Sequence, residues 1–298
     1  MTRLEAGTGG EVPAQPIAGL GEIAAGYEAF ILDLWGVLHD GVAAYPAALD
    51  ALRRLRANAK RVGILSNGPR RAAAVAQRSA ELGITAGLYD VIHSSGEETW
   101  LALRNRDAWA VGLGRRCLPI VPGKDRSLLD GLDLELVADP AGADFVLLSG
   151  TDRPEETVAD YESQLQAILP YRLPLVCANP DLEVVRGGVR EICAGAIAAR
   201  YEALGGPVRY VGKPHAEVYG RCLQALGSPP RQRILAVGDS MRTDVAGAAR
   251  MGIDSLFIAG GIHKAELMNG GKVDTPAFAR LAQRYAVQAR YLADEFRW

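Results

Sequence analysis

The stretch Phe30-Ile31-Leu32-Asp33-Leu34-Trp35-Gly36 constrains the fold most. An apolar run that ends in an acid and a glycine reads as a buried parallel strand, delivering a carboxylate to the carboxyl end of a sheet. The pattern recurs at Arg61-Val62-Gly63-Ile64-Leu65 before Ser66-Asn67-Gly68, and at Ile234-Leu235-Ala236-Val237-Gly238 before Asp239-Ser240. Helical periodicity fills the gaps: Leu49, Leu52 and Leu55 share a face over 47–59, and another helix spans 71–82. The chain therefore reads as an α/β fold whose polar strand ends lie where such sheets place their ligands. Taken alone, Asp33 reads equally as a loop or capping aspartate.

Residues 1–16 read as a flexible arm rich in Gly and Pro, and 17–27 as a short helix. At the second strand end, Ser66 supplies a hydroxyl. Gly68 lets backbone N–H groups approach an anion, with the positive end of helix 71–82 behind them. A plain strand-to-helix turn explains the same residues. A strand at 91–93 precedes a helix capped by Ser94 or Ser95.

From 108 to 207 the chain restarts its own alternation, with strands at 108–111, 117–121, 145–149 and 174–178 and a helix over 155–169. These segments predict a second α/β unit inserted into the first, which then comprises 17–107 and 208–298. Within the insertion, Asn179-Pro180-Asp181 reads as a turn that faces a ligand or simply as an Asx turn. Arg186 and Arg190 read as groups that meet an anionic substrate or, more simply, as a solvated face. The first unit is expected to resume with a strand at 208–211, which delivers Lys213 on a Gly-Pro turn, suited to meeting a phosphate as a point charge. Asp244 follows Asp239 closely. A last strand at 255–259 and a helix over 276–296 complete the chain.

Of the 298 residues, 49% are hydrophobic and 23% charged, which fits a globular protein and disfavours disorder. A formal net charge of -2 predicts no attraction to nucleic acid or to an anionic membrane. No apolar stretch approaches the roughly 20 residues of a membrane span. Cys117, Cys177, Cys193 and Cys222 have no metal-type or disulfide-framework spacing, so a reduced, cytoplasmic protein is the expectation.

The four strand ends, in their order and chemistry, resemble the motifs of the haloacid dehalogenase (HAD) superfamily. The strings are Asp33-Leu34-Trp35-Gly36-Val37, Ser66-Asn67-Gly68, Gly212-Lys213-Pro214 and Gly238-Asp239-Ser240-Met241-Arg242-Thr243-Asp244. The insertion between the second and third resembles the class IIA branch, which includes NagD-type, nitrophenyl and pyridoxal phosphatases. The resemblance implies a Rossmann-like core under an α/β cap of C2 type, Mg²⁺, and a small phosphorylated metabolite as substrate. A homodimer through the cap is a family-level expectation.

By the same resemblance Asp33 is the nucleophile, assisted by Ser66 and Lys213. Asn67, Gly68, Trp35, Asn179 and Asp181 meet the substrate or its phosphate. Mg²⁺ is held by Asp33, Asp239, the Trp35 backbone carbonyl and Asp244, the last through water or as a brace. The chain departs from the phosphatase pattern at Trp35, where a second Asp usually protonates the leaving oxygen. Indole cannot do this, and general acid–base catalysis is worth about 10²–10⁴-fold, or roughly 3–5 kcal/mol of barrier. His39, Asp40 and His215 are the nearby candidates to replace that acid, although a lone His or Asp beside a turn is usually structural. Three readings stay open: a phosphatase altered or weakened by Trp35, a dehalogenase-like hydrolase, and a catalytically silent protein that binds a phosphorylated ligand.

Overall fold

The computed structural model describes residues 13–123 and 125–298. In chain order, β1 (Gln15–Pro16) and β2 (Ala29–Leu32) lead into α1 (Pro46–Ala57), β3 (Arg61–Ser66), α2 (Ala72–Glu81), β4 (Val91–Ser94) and α3 (Ser95–Asn105). The inserted unit contains β5 (Arg116–Ile120), β6 (Glu135–Leu136), β7 (Phe145–Leu148), α4 (Glu162–Ile168), β8 (Leu175–Cys177), the hairpin β9 (Glu183–Arg186) and β10 (Val189–Ile192), α5 (Ala194–Ala203) and β11 (Val208–Tyr210). Then follow α6 (Ala216–Ala225), β12 (Ile234–Gly238), α7 (Ala246–Met251), β13 (Asp254–Ile258), α8 (Lys264–Leu267), β14 (Met268–Asn269), β15 (Lys272–Val273), α9 (Thr275–Tyr285) and β16 (Tyr291–Ala293).

The core sheet is parallel, in the order β1-β16-β13-β12-β2-β3-β4. Strand alternation explains how it is covered on both faces. Phe30, Leu32, Val62, Ile64, Leu235 and Val237 pack with Leu52 and Leu55 of α1. Ala29, Ile31, Leu65 and Ala236 pack with Val218, Tyr219 and Cys222 of α6. From β2 the chain steps to β3 and β4 on one side, then returns to β12, β13 and β16 on the other. The reversal lies between β2 and β12, so the ends carrying Asp33 and Asp239 are neighbours.

The inserted unit has its own parallel sheet, in the order β11-β8-β7-β5-β6. Val208–Tyr210 pairs with β8 in this sheet, so the core does not resume at 208 as expected but only after β11. Other expectations also change. Residues 108–111 form a turn whose Ala110 and Val111 N–H groups donate to the Asp107 carbonyl, leaving no strand. The helix expected over 155–169 shortens to α4, because Thr157 and Asp160 cap a preceding 3-10 turn. Residues 17–27 contain two 3-10 turns, Leu20–Glu22 and Ala24–Gly26, in a glycine-rich segment.

The C-terminal helix stops at Tyr285, where Ala286 adopts a left-handed conformation, and β16 follows within the expected helix. Gln15 and Pro16 pair with β16, so the end of the expected arm belongs to the core sheet; 1–12 lie outside the described residues. No described helix is long and apolar enough to cross a membrane. The four cysteines are free and buried.

A buried charge network braces the crossing into the insertion. Glu98 of α3 bonds His93 Nε2 at 2.8 Å and accepts from Arg221 Nε at 2.9 Å, while Arg221 also donates to Asp107 at 2.6 Å. Burial alone would raise the Glu98 pKa, but the hydrogen bonds from His93 and Arg221 hold it below the ordinary value. A depressed folded pKa adds stability at neutral pH that is lost as pH falls below the ordinary range through the folded value. Glu98→Gln is therefore expected to cost about 3 kcal/mol in a urea titration at pH 7. The gap from wild type should narrow in acid; a constant gap would contradict the ionised role.

Candidate active site

At the end of β2, Asp33 donates its backbone N–H to Val237 of β12 at 2.9 Å, which sets its carboxylate beside the end of that strand. Oxygens of Asp33, Asp239 and Asp244 lie within 4.8 Å of one another, a carboxylate cluster found among the described residues. Lys213 Nζ donates to Asp33 and Asp244, each at 2.7 Å. A side chain at Gly36 would place its Cβ 1.9 Å from Asp239 Oδ2, so glycine there admits the carboxylate. After Ser240 the chain is wound as a π-turn over Met241–Val245, which carries Asp244 back to the site.

One ammonium cannot offset this many buried carboxylates. Burial would lower the Lys213 pKa, but Asp244 and Asp33 hold it well above its usual value, so it stays protonated. Burial raises all three aspartates, Asp244 to about 6; at Asp239, held well above the usual carboxylate range, like-charge repulsion from Asp33 and Asp244 adds to burial. Asp181, also pushed up by burial, stands near the same lysine. Hard anionic oxygens crowded this way suit a hard divalent cation such as Mg²⁺.

At the end of β3, Ser66 Oγ accepts the Gly68 N–H at 3.1 Å, leaving its hydroxyl hydrogen free to donate. Asn67 is more committed. Its side chain accepts from Lys213 N at 2.7 Å and donates to the Lys213 carbonyl at 3.2 Å and to Asp181 at 2.9 Å. This amide thus joins β3, the lysine turn and the insertion. Asn179 accepts the Asp181 N–H in an Asx turn, and both residues line the cleft.

The cleft has a volume of about 1260 Å³ and is lined by Asp33, Trp35, Ser66, Asp181 and Asp239. Trp35 is half-buried, its ring 4.9 Å from that of His39 and packed so closely on Gly41 that a Cβ there would lie 2.2 Å away. His39 is a poor acid here, since its Nδ1 accepts the Gly41 N–H and burial pushes its pKa down to about 4. Asp40 caps the Val42 and Ala43 N–H groups, which hold it ionised. His215 occupies the position before α6 without a side-chain cap hydrogen bond and is absent from the cleft lining.

Sequence reasoning missed His263 and Arg242, both in the cleft wall. Arg242 donates to the Pro180 carbonyl, tying the insertion to the core; its place between Asp239 and Asp244 was the available signal. His263 sits between Phe257 and Tyr285 and had no local signal.

Residues 30–135 match a family model described as haloacid dehalogenase-like hydrolase, and 210–288 one described as HAD-hydrolase-like. A haloacid dehalogenase-like hydrolase from Brucella suis 1330 is 33% identical, with TM-score 0.81 over 94% of this chain and 99% of its own. The p-nitrophenyl phosphatase from Archaeoglobus fulgidus shares the fold at 18% identity, with TM-score 0.66 over 90% of this chain and 96% of that one. Human chronophin is 26% identical over 261 residues, 84% of this chain and 86% of chronophin.

Proposed function

The chain belongs to the haloacid dehalogenase-like hydrolase family, in its class IIA branch, and from that premise we propose that it is a magnesium-dependent phosphatase of small phosphorylated metabolites. The observation that carries this reading is Lys213 Nζ held 2.7 Å from both Asp33 and Asp244, beside Asp239; Asp33 and Asp239 line the cleft, and Lys213 and Asp244 are buried behind them. The phosphatases among similar proteins support it.

In this reading Asp33 attacks phosphorus and forms an aspartyl phosphate as the bond to the leaving oxygen breaks; water then attacks the phosphorus of that acyl phosphate, its P–O bond to Asp33 breaks, and inorganic phosphate leaves with Asp33 restored. Lys213 steers the Asp33 carboxylate and, with the Ser66 hydroxyl, meets charge developing on the phosphoryl oxygens. Asn67 positions Lys213 through both its main-chain groups rather than meeting phosphate with its own amide. Asp33, Asp239 and the Trp35 backbone carbonyl, with Asp244 acting through water or as a brace, would hold a divalent cation, which would supply positive charge against the repulsion between carboxylate and phosphate.

Trp35 brings no proton to the leaving oxygen, and the state of His39 and Asp40 leaves neither in its place. The substrates are therefore phosphates whose leaving group departs unprotonated, aryl or acyl phosphates above all. The test is turnover of p-nitrophenyl and acetyl phosphate across a magnesium titration. Binding of both without turnover would sink the reading, as would halide release independent of metal.

Mg²⁺ at about 100 times its Kd should stabilise the fold by about 2.7 kcal/mol, read from the thermal midpoint. Chelation should reverse the gain and stop turnover. Asp239→Asn should lose the response to Mg²⁺; an unchanged response would remove Asp239 from the metal site.

A further inference from the structure

The hairpin β9–β10 of the insertion reaches the loop that follows Asp33. Gly187 at its tip donates its backbone N–H to the Asp40 carbonyl at 3.3 Å, and the Asp40 carboxylate fixes that loop by accepting from Val42 and Ala43. Arg186, one residue earlier, sets its guanidinium carbon 4.9 Å from the centroid of the Trp35 ring. Its Nε donates to both oxygens of Glu191, at 3.1 and 3.3 Å, and the Glu191 side chain is only 13% exposed.

The two terminal nitrogens of Arg186 have no hydrogen-bond partner among the described residues. The residue lines the same cleft as Asp33 and Trp35. Stacked on an aromatic ring, anchored at Nε and open at both ends of its fork, an arginine is preorganised for a carboxylate or phosphate. Arg190, on the opposite face of the hairpin, is instead paired with Glu183 through a terminal nitrogen.

We propose that Arg186 is a specificity-determining residue that binds a second anionic group on the leaving part of the substrate, with Trp35 as the surface that holds it. The inference rests on the phosphatase reading, in which Ser66 and Lys213 take the phosphoryl end and leave Arg186 to meet the rest of the molecule. The substrate class is a small phosphate ester or acyl phosphate bearing a further carboxylate or phosphate. Trp35 thereby exchanges a proton donor for a platform that orients a cation.

The test compares kcat/KM for phenyl phosphate, para-carboxyphenyl phosphate and para-phosphonophenyl phosphate in the full-length protein with Mg²⁺. Wild type should prefer the doubly anionic esters by about 10-fold or more, the range of a charge-assisted hydrogen-bonded pair. Whichever of the two is favoured identifies the second anion. Arg186→Ala should bring the ratio close to one, Arg186→Lys should retain part of it, and Arg190→Ala should preserve it. Equal loss on all three esters in Arg186→Ala would mean that the arginine only holds the hairpin down, and would overturn the proposal. So would a wild type without preference. If wild type turns over none of them, the phosphatase reading fails separately, and calorimetric binding of the same esters to wild type and Arg186→Ala decides whether the anion site stands.

Discussion

Asp33→Asn is expected to abolish turnover of p-nitrophenyl phosphate, by a factor on the order of 10⁴ or more, while leaving the protein folded. The chemical loss is large because an amide cannot form the acyl phosphate and no neighbouring group occupies its place. The structural loss is small. Asparagine has nearly the same shape, Lys213 keeps its 2.7 Å bond to Asp244, and removing one negative charge relieves the repulsion that raises the Asp239 pKa. Stopped-assay intact mass should detect a phosphoenzyme in wild type and none in the variant, with the thermal midpoint reported beside it. Retained turnover in a folded Asp33→Asn protein would reject Asp33 as the nucleophile.

Trp35→Asp is expected to raise turnover of alkyl phosphates by about 10²–10⁴-fold, the usual worth of a placed general acid. The gain depends on the absence of a substitute. His39 is buried, accepts a backbone N–H through Nδ1 and has its pKa pushed down to about 4; Asp40 is held ionised by two backbone N–H groups. The exchange also has a cost, since the ring packs on Gly41 and His39 and supports Arg186. A destabilisation of about 1–3 kcal/mol is expected from that lost packing. Aryl phosphates, which need no acid, should gain much less than alkyl ones. A folded, magnesium-responsive variant with no gain on alkyl phosphates would show that the missing proton is not what limits them.

The strands that build the floor of the site were legible because each is a short apolar run closed by small or acidic residues. Burial on both faces leaves that mark locally on β2, β3 and β12. The strand Val208–Tyr210 was legible as a strand, but its sheet was not. A half-buried Val-Arg-Tyr fits the edge of either sheet, and only pairing with β8 assigns it to the insertion. Tyr291–Ala293 was hidden for a similar reason: a three-residue run behind a strong helix reads as more helix until β13 offers an edge.

Asn67 shows the same division within the site. Its position after a strand marked it as a candidate phosphate ligand, but its hydrogen bonds reach residues far along the chain and commit its amide to holding Lys213 and Asp181. Arg186, read as a solvated face or as a group that meets an anionic substrate, stays half exposed and sets its guanidinium over Trp35, a placement with no mark in the local residue order.

The amino-acid sequence by itself determined which chemical groups stand at the strand ends, because that follows from local residue order along buried strands; that Trp35 stands where phosphatases of the family carry an acid is what the resemblance implies. The tertiary structure alone decided that Lys213 bridges Asp33 and Asp244 and that the hairpin lays Arg186 on the indole. Those outcomes depend on distances between segments remote in sequence, which are set by strand order and by packing between two sheets.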